Sequence, residues 1–312
     1  MAPLTTLDLM PEDVMRRVLM ELDYRDIMTL RKTSHLLRNF IDNNRIRTHT
    51  TSTTIQLTFN RNSIQMMLRN GGNQKPVFIT YSHHENGCEL SYRNSKKILE
   101  MSDYLKVFET DFQLALSHLN HQNCKNSKLE FLVSQSIFSL NEKILEVLRR
   151  TVPIKVQDLT LQVLAEFQVS DFLNLIDPIY LTSLTVISSN CPKVSISNQI
   201  ENLKSLRKLQ IGNSITNIPL ARLTHLEDVI IKYRLVTFAD VLFLKETLTA
   251  PSSPCKRFIL QFKYKERYLN KKLVERFGIS EDSWIFKIQN SSMSLRMRVG
   301  LSFIEFNLIV DS

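Results

Sequence analysis

The chain has 312 residues, a net charge of +9 and 43% hydrophobic against 23% charged residues. This composition excludes an intrinsically disordered chain and leaves room for roughly two or three domains. No apolar run reaches the roughly 18–20 residues of a membrane helix. The opening "MAPLTTLDLM" lacks the basic flank and greasy core of a secretory signal. A cytoplasmic or nuclear location is expected, with no membrane partner. The cysteines Cys88, Cys124, Cys191 and Cys255 are widely spaced without a CxxC pair, which predicts buried free thiols rather than a disulfide frame.

The first element runs through "LMPEDVMRRVLMELDYRDIMTLRKTSHLLRNFI". Pro11 suits a helix start, and Glu12 and Asp13 favour the positive end of its dipole. Val14, Met15, Val18, Leu19 and Leu22 form a wide apolar stripe on one helix. Asp23 and Asp26 signal the start of a second helix carrying Ile27, Met28 and Leu30. Ser34 can cap a third, carrying Leu36, Leu37, Phe40 and Ile41. A unit this small has too little interior to cover so many apolar residues. Some of that surface must meet the rest of the chain or another protein.

This stretch resembles the F-box. Met10-Pro11 stands where the family has Leu-Pro, Val14, Val18 and Leu22 match the aliphatic positions of its first helix, and Ile27 and Leu30 match the second. Ser34 to Arg38 matches the "S-x-x-x-R" end of the third. Three positions depart from the pattern: Met10 for Leu, Thr33 for Val and Leu37 for Trp. The resemblance implies docking on the Skp adaptor of a cullin–RING ubiquitin ligase through Leu9, Met10, Pro11, Val14, Val18, Leu22, Ile27 and Leu30. It also implies that the rest of the chain selects a target.

From Arg45, "RIRTHTTSTTIQ" reads as a linker or strand edge and "TIQLTFN" as a strand. Ser63 to Arg69 is expected to be a short turn or helix, ended by Gly71-Gly72. "PVFITYSHHENGCELSYR" predicts a hairpin with strands Val77 to His83 and Cys88 to Arg93, turned by Asn86-Gly87. Asp103 to Leu119 places Leu105, Phe108, Phe112, Leu116 and Leu119 on one helical face. Two clusters have metal-like residues: His118, His121 and Cys124, and His83, His84 and Cys88. Neither supplies a clean fourth ligand for a structural zinc site, so no metal is expected.

In the second half a pattern of apolar residues at positions 1, 4 and 6 recurs. Its copies are Val156, Leu159 and Leu161; Leu181, Leu184 and Val186; Leu206, Leu209 and Ile211; Leu226, Val229 and Ile231; and Cys255, Phe258 and Leu260. A weaker copy holds Leu129 and Phe131. The steps of 25, 25, 20 and 29 residues lie within the leucine-rich-repeat range. Helical patterns at Leu140 to Leu148 and Val236 to Leu244 fall between copies. Each copy is a short strand that cannot cover its own apolar face, so neighbours must stack. The intervening residues point outward, and Ile187, Gln210, Ile230, Lys232, Ile259, Gln261 and Lys263 are the candidate partner-binding set. Past Gly278, "SWIFKIQN", "SLRMRVG" and "SFIEFNLIV" alternate as closing strands. Trp284 is expected in the core.

These features predict an α/β fold. A three-helix F-box at 1–45 precedes a recognition domain at 46–312. That domain is an irregular leucine-rich-repeat-like solenoid (about 126–264) with capping strands (about 283–310). The alternative is an α+β mixed sheet. The whole arrangement resembles the nematode F-box proteins with an FTH domain, carried by the opening stretch, the hairpin "VFITYSHHENGCELSY" and repeats such as "LRKLQIGN" and "SLTVIS". The family resemblance implies a substrate receptor.

No catalytic motif is present: no G-x-S-x-G, H-E-x-x-H, Walker loop or G-x-G-x-x-G. Six glycines leave little material for a phosphate-cradling loop. The expectation is a non-catalytic subunit with no cofactor, which recruits a target protein of unknown identity. Two alternatives stand beside it. One is an F-box interaction protein working outside the ligase. The other is a nucleic-acid binder using "CKRFILQFKYKERYLNKKLVER", which holds eight basic residues against Glu266 and Glu275. The favoured reading of that stretch is a solvated strand and helix edge.

Overall fold

In the computed structural model, the described residues are 10–22, 24–44, 53–70, 75–92, 95–119, 127–133, 142–188, 193–194, 196, 203–280 and 283–310. The chain divides into two compact units, one of Met1–Leu159 with Asn174–Asp177 and one of Thr160–Leu173 with Pro178–Ser312.

The first unit opens with three helices, α1 (Glu12–Met20), α2 (Tyr24–Thr33) and α3 (His35–Asn44). Pro11 stands at the N-cap of α1, with Glu12 and Asp13 in its first turn. The Ser34 hydroxyl accepts from the Leu36 and Leu37 amides at 3.2 and 3.4 Å, the expected cap of α3. Met15, Leu19, Ile27, Leu37, Phe40 and Ile41 are buried. Arg16 donates to Asn44 at 2.6 Å, tying α1 to α3.

Five strands follow: β1 (Thr53–Asn60), β2 (Ser63–Asn70), β3 (Val77–His84), β4 (Gly87–Tyr92) and β5 (Ser95–Glu100). Then come α4 (Tyr104–Leu119), β6 (Lys128–Val133) and α5 (Glu142–Arg149). The sheet order in this unit is β6-β1-β2-β3-β4-β5. β1 and β6 are parallel and the other neighbours antiparallel. Phe59, Ile64 and Tyr81 face one another across three strands and are fully buried. The Tyr81 ring meets Phe108 of α4 edge-on at 5.6 Å, so the helix lies on the sheet as its apolar spacing requires.

Two expectations fail here. Ser63 to Arg69 is strand β2 rather than a turn or helix. Ile64, Met66, Met67 and Leu68 are all buried, so adjacent apolar residues blur the alternation that marks a strand. The hairpin turn is Glu85-Asn86, one residue earlier than expected, because His84 pairs with Gly87. Gly87 itself carries the positive φ, +144°, and a Cβ there would lie 2.2 Å from the Leu99 carbonyl oxygen. Only glycine lets β4 and β5 approach at that point.

The second unit begins within β7 (Asp158–Val163) and continues through α6 (Glu166–Leu173), β8 (Ser183–Ser188), β9 (Lys193–Val194), β10 (Lys208–Gly212) and β11 (Ile215–Thr216). After a short turn at Leu220–Arg222 come β12 (Asp228–Val236), α7 (Phe238–Leu248), β13 (Arg257–Lys265), α8 (Leu269–Phe277), β14 (Ser283–Lys287), β15 (Met293–Val299) and β16 (Phe303–Val310). The main sheet runs β7-β8-β10-β12-β13-β16-β15-β14, while β9 and β11 form a separate parallel pair. Every apolar residue of the five recurring copies is buried. They stack in register: Leu184 opposite Leu209, Leu209 opposite Val229, and Val229 opposite Phe258. The three closing strands form an antiparallel meander, and β16 covers the free edge of β13, setting Phe306 against Phe258.

The fold is thus mixed α/β with a large mixed sheet, and no solenoid is formed among the described residues. The copies are real strands, but the connections between them are unequal. A helix of 11 residues follows β12, where only a three-residue turn precedes it. Equivalent coils cannot stack from unequal units. Trp284 is likewise not core: it is half-buried on β14, its indole N–H donating to the Gly278 carbonyl at 3.0 Å.

A buried ionic cluster fixes the first unit. Arg31 of α2 donates to Asp42 of α3 at 2.6 and 3.0 Å and to Asp111 of α4 at 2.5 Å. The Tyr81 hydroxyl of β3 donates to the other Asp111 oxygen at 2.8 Å. Burial alone would lower the Arg31 pKa, but the hydrogen bonds to Asp42 and the charge of Asp111 outweigh it and hold the guanidinium ionised.

Candidate functional site

Helix α1 divides its apolar stripe between the core and the surface. Met15 and Leu19 are 3% and 0% exposed, whereas Val14 and Val18 are 44% and 38% exposed. Each pair is four residues apart and so shares a face, and a one-residue offset turns the second pair about 100° away from the first. Leu22 and Leu30 are half-buried, Met10 is half-buried and Pro11 exposed. Leu9 lies outside the described residues. Ile27, expected among the adaptor contacts, is fully buried within this chain. Leu36 of α3 is 51% exposed, an aliphatic residue outside the expected contact set.

On the second unit, the expected outward residues fall into rows. Thr185, Gln210, Ile230 and Ile259 are successive register partners across β8, β10, β12 and β13, and Glu305 of β16 and Arg298 of β15 continue the row. Ile187 pairs with Gly212, and Lys232 with Gln261 and then Phe303. A cavity of about 420 Å³ opens here, lined by Lys232, Ile259, Gln261, Phe262, Ser302, Phe303 and Glu305. Lys232, Ile259 and Gln261 therefore come together at one depression, with Ile230 beside it. Ile187 and Gln210 lie further along the sheet, and Lys263 lies exposed beyond Gln261 on β13. Sequence reasoning missed Ser302, Phe303 and Glu305. The alternation of Phe303 and Glu305 with the buried Ile304 and Phe306 is visible in the sequence, but the register against β13 is not.

Of the eight basic residues from Cys255 to Arg276, four are engaged by carboxylates around them. Lys256 meets Glu227 at 2.7 Å, Arg257 holds Asp228 with two hydrogen bonds of 2.9 and 2.8 Å, Lys271 approaches Glu275 at 3.8 Å, and Lys272 engages Glu266. The hydrogen bond from Lys256 holds the Glu227 carboxyl below its ordinary pKa, and that from Lys272 does the same for Glu266. These contacts fit the solvated edge expected from the sequence.

A second cavity, about 890 Å³, lies at the hairpin ends in the first unit and includes Arg61, His83, His84 and Asp103. The His84 Nδ1 accepts from the Asn86 amide at 3.1 Å, and the His83 ring tilts against Tyr104 at 6.3 Å. His84 thus serves the hairpin turn and His83 meets α4, and no group of three or more potential metal ligands occurs among the described residues. Of the other histidine–cysteine cluster, the side chains of His118, His121 and Cys124 lie outside the described residues. Cys88 and Cys255 are free and buried. Burial pushes the Cys88 thiol up to about 11 and the Cys255 thiol up to about 12, so neither is poised as a nucleophile. Cys124 and Cys191 also lie outside the described residues.

Comparison with known families places two modules on this frame. Residues 7–49 match the F-box domain, and residues 139–277 match the FTH domain. No curated protein and no solved structure matches the chain. The exposed valine pair lies within the first module, and the outward strand rows lie largely within the second. The chain is an F-box protein with a C-terminal FTH domain.

Proposed function

We propose that this protein is the substrate-recruiting subunit of a Skp–cullin–F-box type ubiquitin ligase. Residues 1–45 bind the Skp adaptor, and residues 46–312 hold a target. The observation that carries the reading is the exposure of Val14 and Val18 beside a helix core already filled by Met15 and Leu19. An F-box implies adaptor binding, and this aliphatic pair supplies a handle for it. Complete burial of a Val or Leu side chain contributes roughly 1.5–3 kcal/mol, so covering two partly exposed valines supplies about 1–2 kcal/mol. Met10, Pro11, Leu22 and Leu30 widen the patch, and Leu9 belongs to the same proposed set.

Ubiquitin transfer would then use the RING subunit and the charged conjugating enzyme. This chain contributes proximity, raising the effective concentration of a target lysine near the thioester. On the target side, Ile187, Gln210, Ile230, Lys232, Ile259, Gln261 and Lys263 present the outer face of the FTH half. The exposure of α1 predicts that Val18→Asp abolishes adaptor co-purification. A carboxylate driven into an apolar contact costs several kcal/mol unless paired. Wild-type chain that fails to co-purify with the adaptor under the same conditions refutes the reading. Circular dichroism of the variant, unchanged from wild type, separates lost docking from lost folding.

A further inference from the structure

We infer that the outer face of β12, β13, β15 and β16 captures an acidic, extended segment of the target, seating one aliphatic side chain in the cavity beside Lys232. The inference rests on the reading that the FTH half holds the target, and it names the chemistry of that target. Three observations carry it.

The first is charge. Residues that alternate with the buried ladder on these strands include Lys232, Arg257, Lys263, Arg296 and Arg298, set against Asp228 and Glu305. Asp228 is taken up by Arg257. Glu305 lies directly opposite Arg298 in the ladder, with Arg257 also within electrostatic reach. Asp228 is thus matched locally, and Glu305 is one carboxylate among several cations. Lys232, Lys263 and Arg296 form no ion pair among the described residues. A face with surplus cations attracts an anionic partner and repels a basic one.

The second is shape. The cavity of about 420 Å³ is small for a folded surface and has room for an aliphatic side chain of an extended peptide and its neighbours. Ile259 and Phe303 supply apolar wall, and Ser302 and Gln261 supply polar groups at the same opening. Ile230, next to Ile259 in the ladder, extends the apolar floor. An aliphatic side chain flanked by carboxylates fits both properties, with the carboxylates meeting Lys232 and Lys263.

The third distinguishes a peptide from nucleic acid. Ile259 gives the cavity an aliphatic wall, and among the described residues no exposed aromatic pair stands on this row to stack bases. Phe303 is already covered by the Arg298 guanidinium at 5.6 Å.

The test uses the full chain, with and without the Skp adaptor, and fluorescence anisotropy with three labelled probes. These are a short peptide of Asp and Glu around a central Leu, the same peptide with Asn and Gln in place of the acids, and a single-stranded oligonucleotide of equal charge. The acidic peptide should bind at least about tenfold more tightly than its neutral twin, with affinity falling as salt rises. Lys232→Glu and Lys263→Glu should each weaken it by about tenfold, the effect of roughly 1.4 kcal/mol. Glu305→Gln should strengthen it a few-fold. Replacing the central Leu by Gly should also weaken it, which a purely electrostatic surface would not require. Equal binding of the acidic and neutral peptides overturns the inference, as does tighter binding of the oligonucleotide or indifference to both lysine reversals. The two readings fail separately. Lost peptide binding with intact adaptor binding removes this inference alone. Intact peptide binding in a chain that never binds the adaptor removes the ligase reading alone.

Discussion

Asp111→Asn should loosen the three N-terminal helices far more than any surface substitution of equal size. Arg31 is 6% exposed and the Asp111 side chain 9%, whereas Asp42 is 33% exposed. Removing one charge of a buried pair strands the other, a cost of about 3–5 kcal/mol. The substituted amide would keep a carbonyl oxygen for Tyr81 or Arg31 but no negative charge, and Arg31 would retain only the partly solvated Asp42. A loss of about 3 kcal/mol raises a local opening constant by roughly 150-fold. Amide hydrogen exchange is the suitable assay, because a chain with two compact units has no single unfolding free energy. Protection in α2, α3 and the Asp111 turn of α4 should fall together in Asp111→Asn. Asp42→Asn, removing a more solvated partner, should cost about 1 kcal/mol. The double change Arg31→Met with Asp111→Leu should recover much of the loss, since apolar groups can replace a buried pair without leaving a charge behind. Equal protection in wild type and Asp111→Asn, or a larger loss from Asp42→Asn, would refute the reasoning.

Gly87→Ala forces a Cβ to 2.2 Å from the Leu99 carbonyl at a φ of +144°, and should cost at least about 2 kcal/mol, read as lost exchange protection in β4 and β5. Thr237→Ala removes the capping box in which the Thr237 hydroxyl accepts from the Asp240 amide and the Asp240 carboxylate accepts from the Thr237 amide; exchange in the first turn of α7 should rise by the equivalent of about 1 kcal/mol. Cys88 and Cys255, pushed up to about 11 and about 12 by burial, should resist maleimide at neutral pH until the chain is unfolded, as mass spectrometry of each thiol would show. The folded state holds these protons while the unfolded thiols ionise from about 8.5. Their contribution to stability is therefore full below that value and declines as pH rises from there toward about 11 and 12; a melting temperature that rises across this window in wild type relative to Cys88→Ala and Cys255→Ala contradicts the sign.

Local chemistry is the most legible part of the fold. Ser34 announces its cap, and the closing meander announces itself by alternation. The recurring triplets mark buried strand positions so well that Leu184, Leu209, Val229 and Phe258 fall in one ladder. What the triplets cannot tell is whether the strands coil into a solenoid or lie within a mixed sheet. Both demand the same inward residues, and only the unequal connections separate them. β2 escapes a reading by period because Met67 is buried beside Met66 and Leu68, which erases the alternation of two. Trp284 departs from expectation because size suggests burial, yet an edge hairpin gives it only one side to cover. The ionic cluster is invisible in the sequence for another reason. Arg31 and Asp111 are 80 positions apart, and nothing local to either predicts a partner across that distance.

The packing of α1 explains why the exposed valines are informative. A short helix with two adjacent apolar stripes can hide both only by burying two faces at once. In α1 the core takes Met15 and Leu19, and Arg31 with its two carboxylates pins α2 and α3 against α4. Rolling α1 by about 100° to cover Val14 and Val18 would turn Met15 and Leu19, 3% and 0% exposed, out of the core. Uncovering those two side chains would cost about 3–6 kcal/mol, against about 1–2 kcal/mol gained from two partly exposed valines. The inequality leaves the patch open in the folded chain, so it can be satisfied only from outside. A partner docking there grips helices that are already fixed to the body of their own unit, and adaptor binding need not first organise them.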